Sequence, residues 1–111
     1  MNERGSGSVL AVAVLGAVAL ASGAALLVLG ALSAQQSAQA AADAAALAAA
    51  DTLSGRASGF PCENAERAAA LDEASLASCQ TDGLVAVVGV SRSWSRLTLT
   101  ARARAGPPGT P

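Results

Sequence analysis

The sequence predicts an α+β fold: a long N-terminal apolar helix, a second short helix, then a β-hairpin. Three observations carry that expectation. Residues 5–42 contain no charged side chain, and residues 8–32 (SVLAVAVLGAVALASGAALLVLGAL) are almost wholly apolar. Residues 33–53 (SAQQSAQAAADAAALAAADTL) run on without Gly or Pro and are full of Ala, the best helix former. Residues 94–104 (WSRLTLTARAR) alternate apolar and polar side chains with the two-residue period of a half-buried strand.

The first segment, 8–32, is long enough to cross a bilayer. At 1.5 Å rise per residue it makes a helix of roughly 37 Å, against a hydrocarbon core of about 30 Å. It is too long for the h-region of a cleaved secretory signal, and the one A-x-A site, Ala38-Gln39-Ala40, falls well beyond it inside continuous helix. A retained transmembrane helix is therefore expected. Gly16, Ser22, Gly23, Gly30 and many Ala permit close helix contact, although Gly16-x-x-x-Leu20 breaks a strict G-x-x-x-G pattern. Residues 33–53 are read as the outward continuation of the same helix, weakly amphipathic, with polar positions at Gln35, Gln36, Ser37, Gln39, Asp43 and Asp51.

Gly55, Ser58, Gly59 and Pro61 break the helix. A second helix is expected over 63–78 (ENAERAAALDEASLAS), with Glu63 and Glu66 in a first turn whose dipole favours them and a narrow apolar line at Ala65, Ala68, Ala69 and Leu76. Residues 83–91 (GLVAVVGVS) form an apolar, β-branched run of strand length. The strand after it sends Leu97, Leu99, Ala101 and Ala103 to one face and Arg96, Thr98, Thr100, Arg102 and Arg104 to the other. Ser91-Arg92-Ser93 is the expected connection. Residues 106–111 (GPPGTP) are read as a disordered tail. The organisation predicted is thus a leader at 1–7, a transmembrane helix at 8–32, its continuation at 33–53, a small α+β region at 54–105 and the tail.

Composition bounds the function. The chain has 111 residues, a net charge of -1, no His and no Tyr, and all of its basic residues are Arg. Without His there is no imidazole base and no His metal ligand. Without Lys there is no Ser-Lys catalysis, and no phosphate-binding loop or nucleophile elbow is present. A non-enzymatic protein is expected, with no cofactor, no metal, no small-molecule substrate and no nucleic-acid partner. The Arg stripe (Arg96, Arg102, Arg104) offers an anionic contact, but no aromatic side chains interleave it to stack bases. The plainer reading of that stripe is a solvated edge strand guarded by charge.

Charge asymmetry orients the span. Arg4 and the α-amino group stand against Glu3 on the N-terminal side, whereas Asp43 and Asp51 come first on the other and its first Arg is Arg56. The positive-inside rule then puts the N-terminus in the cytoplasm and the C-terminal region outside, in a single-pass cell-membrane protein. Both cysteines, Cys62 and Cys79, lie in the outer part, where an oxidising compartment lets thiols pair. A straight helix between them would hold them roughly 25 Å apart, far beyond disulfide reach of about 7 Å between Cα atoms. Pairing requires a shorter helix, or a Phe60-Pro61-Cys62 segment folded back along it; otherwise the two are unrelated thiols.

These residues together resemble a known family. The leader Arg4-Gly5-Ser6-Gly7 running into a long apolar helix, and the stretch QAAADAAALAAA over 39–50, are similar to the N-terminal region of TadE/TadG-like proteins of tight-adherence (Flp-type) pilus systems. The later order, a short Ala-rich helix, a Cys and then Asp82-Gly83-Leu84-Val85 opening a hairpin, is also similar, and most resembles the small actinobacterial TadE-like proteins. The resemblance implies a pilin-like fold and a pilus-assembly or minor pilin-like (pseudopilin) role in a tight-adherence or related secretion system. It also implies packing through the N-terminal helix against lipid, other pilin-like subunits or assembly proteins of the membrane. By the same resemblance, prepilin-peptidase cleavage falls at Gly5-Ser6 or Gly7-Ser8. The chain departs from pilins where they usually carry Glu early in the mature helix: Leu10 or Val12 stands there. The competing expectation is a single-span membrane protein whose outer domain binds an envelope ligand or partner through the Arg face.

Overall fold

The computed structural model describes residues 3–109, with the backbone alone for Glu3 and Arg4. Met1 and Asn2 of the expected leader, and Thr110 and Pro111 of the expected tail, lie outside the described residues. The element order is α1 (Glu3–Leu53), α2 (Pro61–Leu71), β1 (Ser75–Asp82), β2 (Val85–Trp94) and β3 (Leu97–Ala105). This is the α+β arrangement read from the sequence, with a three-stranded antiparallel sheet, order β1-β2-β3, in place of a two-stranded hairpin. The chain divides into two compact units, Met1–Leu32 and Ser33–Pro111.

The first unit is the N-terminal part of α1. Its large side chains, among them Val9, Leu10, Leu15, Val18, Leu20, Leu26, Leu27 and Leu29, are all exposed.

The second unit begins with the rest of α1, which supplies its core. Ala34, Ala38, Ala41, Ala42, Ala45, Ala46 and Ala49 recur every three or four residues and are buried as one stripe. Against it pack Ala65 and Ala69 of α2, Ala86, Val88 and Val90 of β2, and Ala101 of β3. Methyl-sized side chains let sheet and helix approach closely, and at the helix end the partly buried Leu53 packs against the same core. Val88 and Val90 are the largest fully buried side chains.

The helix ends where glycines allow it. Gly55 (φ 84°) and Gly59 (φ 106°) adopt the left-handed region, and Pro61 opens α2 at a position where its missing N–H is no loss. Asn64 ties the connection down: its Nδ2 donates to Thr52 Oγ1 (2.8 Å) and to the Ser58 carbonyl (3.0 Å).

Two expectations are corrected here. The helix read over 63–78 spans only Pro61–Leu71, and residues 75–82 are strand. Glu73, at φ 59°, reverses the chain: its N–H donates to the Ala70 carbonyl and that of Ala74 to the Ala69 carbonyl, a paired closure of the helix end. The hairpin connection also shifts. Ser91, Arg92 and Ser93 lie within β2, Gly83 lies in the turn before it, and Ser95-Arg96 make the β2–β3 turn. A turn at 91–93 would set Val88 opposite Arg96 and Ala86 opposite Thr98. The observed register sets Val88 opposite Ala103 and Val90 opposite Ala101, which keeps the apolar face intact.

Candidate functional site

The chemistry-bearing feature of the first unit is the surface of its helix. It is long and apolar enough to cross a membrane, and among the described residues its most apolar 18-residue window has no buried position. Large aliphatic side chains are distributed all round it, which in water leaves every face unsatisfied. At Gly16 and Gly23 a Cβ would meet nothing within 4 Å, so both present bare backbone at that surface. The candidate cleavage residues Gly5, Ser6, Gly7 and Ser8 are exposed on the first turns of α1, with open space around Gly5 and Gly7.

In the second unit the cysteines meet. Cys62 lies in the first turn of α2 and Cys79 on β1; their Cα atoms are 5.9 Å apart and the sulfurs are bonded. The shorter helix makes this reachable: the chain reverses at Glu73 and brings β1 back beside α2. Thr81, Cys79 and Leu76 lie opposite Ala86, Val88 and Val90, so the disulfide joins α2 to the sheet beside the core.

The Arg stripe divides. Arg102 and Arg104 share the outer face of β3 with Thr98 and Thr100, as the alternation predicts, whereas Arg96 sits in the turn. Two glutamines that sequence reasoning treated only as polar filler hold this strand. Gln35 Nε2 donates to the Thr100 carbonyl (3.0 Å) and Gln39 Nε2 to the Arg102 carbonyl (2.9 Å). Four helix residues rise about 6 Å and two strand residues about 6.6 Å, so the i, i+4 spacing matches alternate carbonyls along the edge. An i, i+4 glutamine pair flanking an alanine stripe was the available signal.

A shallow apolar groove of about 250 Å³ is lined by Leu47, Ala50 and Ser54 of the helix end and by Leu84, Ala105 and Gly106. Pro107 and Pro108, of the segment expected to be a tail, also line it. Asp51 and Arg56 are its only charged lining residues, and the Ser54 hydroxyl donates there to the Asp51 main-chain carbonyl (3.1 Å). Among the described residues no group of three or more His, Cys, Asp or Glu is placed to hold a metal ion. No known protein family, curated protein or solved structure matches this chain.

Proposed function

We propose that the chain is a non-catalytic, membrane-inserted component of TadE/TadG-like type, acting in pilus assembly or as a pseudopilin of a tight-adherence or related secretion system. One observation carries the reading: a single helix, α1, presents an uncovered apolar surface over its first part and an alanine stripe that builds a folded body over its second. Such a subunit needs lipid or other helices around its first part. Small residues such as Gly16 and Gly23 let either neighbour approach closely, which is what transfer from bilayer to assembly requires.

The N-terminus is cytoplasmic and the second unit extracytoplasmic in this reading. The Cys62–Cys79 bond supports that orientation, because disulfides persist outside the reducing cytosol. Intact mass of the native protein tests processing: loss of residues through Gly5 or Gly7 is expected on a pilin-type route, and an uncut leader counts against it. Shear fractionation separates filament from membrane. A protein found wholly in membranes, whose deletion leaves piliation unchanged, would sink the pilus reading and leave the single-span receptor with its exposed Arg102 face.

A further inference from the structure

The second unit has a polarity along its helix. Gln35 meets Thr100 and Gln39 meets Arg102, so β3 runs parallel to α1, from its Leu97 end near the start of this unit toward Ala105 near the helix end. Ala105 lining the same groove as Leu47 and Ala50 agrees with that direction. Leu97 precedes Thr100 by three strand residues, about 10 Å, and Ser33 precedes Gln35 by about 3 Å of helix. The β2–β3 turn therefore lies at the Ser33 end of the unit. By chain connectivity, that is the end from which the apolar segment departs.

The residues at that turn have interfacial chemistry. Trp94, paired with Leu97 across the hairpin, is the only Trp in the chain and is half-buried. Leu97 is 59% exposed at the hairpin tip, where an aliphatic side chain gains nothing from water. Arg96 is exposed in the turn between them. Arg92, two residues before Trp94, is engaged with Glu73 at 3.5 Å. An amphipathic indole, an exposed leucine and an unburied guanidinium make the combination that settles at the headgroup level of a bilayer, with the Arg reaching phosphate and the apolar groups dipping beneath.

We propose that the β2–β3 hairpin tip, Trp94 to Leu97, is a second membrane contact: an interfacial anchor that sits in the headgroup layer of the bilayer crossed by α1. The inference rests on the membrane reading of α1. Its occupant is lipid, because the tip stands at the end of the unit joined to the apolar segment.

The chain has one Trp and no Tyr, so its own fluorescence reports on the tip. The full-length protein is reconstituted into vesicles of phosphatidylcholine and phosphatidylglycerol and floated after carbonate washing. Trp94 emission is then read against lipid spin-labelled at the headgroup, lipid spin-labelled at the acyl-chain end, and aqueous iodide. The expected result is flotation, with headgroup label quenching at least about twofold more strongly than chain-end label, as an interfacial indole requires. Leu97→Asp should float equally and lose that quenching. Flotation with iodide access and no lipid quenching overturns the anchor while leaving the span intact. Protection from iodide without lipid quenching means that protein covers the tip, and also overturns it. Failure to float removes the span itself, and the anchor with it.

Discussion

Glu73 stands where a helix hands over to the left-handed region, a position glycine usually fills. Its φ of 59° is imposed by the two closing hydrogen bonds onto Ala69 and Ala70. A side chain there costs on the order of 1–2 kcal/mol of backbone strain. Its ion pair with Arg92 returns little, because the Glu73 side chain is almost wholly in water. Glu73→Gly should therefore stabilise the second unit by about 0.5–1 kcal/mol after the added chain entropy of glycine is subtracted. Guanidinium unfolding of the full chain in detergent, followed by Trp94 emission, checks this; a lower midpoint for the variant would refute the strain account. The same residue explains why the end of α2 was hard to read in the sequence. A stop written with Gly is visible in a sequence, whereas one written with Glu in a run such as AALDEASLAS looks like more helix.

At the level of elements, α1 is held to the sheet by a stripe of methyl groups rather than by large side chains. Ala45 has no exposed surface and lies in the buried cluster shared with α2 and the sheet, so Ala45→Leu has no room and should destabilise the second unit by about 1–3 kcal/mol. Leu47, on the same turn but 59% exposed, should tolerate Ala with a change within about 0.5 kcal/mol. Equal losses for the two variants, measured by the same unfolding experiment, would mean that the stripe does not form the interface. The helix itself was legible because its composition admits nothing else. Which face it buries was not, since Ala occupies nearly every position over 38–50 and only Gln39 and Asp43 mark a wet side. Strand β1 (SLASCQTD) was missed for a related reason: Thr81 is its only β-branched residue. Pairing with the Val-rich β2 and the bond from Cys79 to Cys62 make it a strand, and both are tertiary. The β3 alternation was legible and correct, but the turn position depended on matching Val88 and Val90 to Ala partners across the sheet. For the candidate site, the apolar helix could be read directly. The Cys pair was left open because its distance depended on the misread helix end.

For the whole molecule, the balance between a thin core and a covalent staple decides whether the second unit stands alone. Its buried side chains are almost all Ala and Val, which release little apolar surface each, and a body of this size sits near the lower limit for independent folding. The Cys62–Cys79 bond closes a loop of sequence separation 17. In the chain-entropy account, that bond stabilises the folded state by about 3 kcal/mol, and it does so by restricting the unfolded chain. A fragment comprising residues 33–111 should therefore unfold cooperatively but at a modest temperature when oxidised. Reduction should lower the midpoint by roughly 15 °C, since each kcal/mol moves a domain of this size by several degrees. Circular dichroism melts with and without reductant read both quantities. A reduced fragment that melts at the oxidised temperature would show that the bond is incidental to stability. An oxidised fragment that melts far above ordinary growth temperature would show that alanine packing alone suffices, and the argument that this body depends on its disulfide would fall.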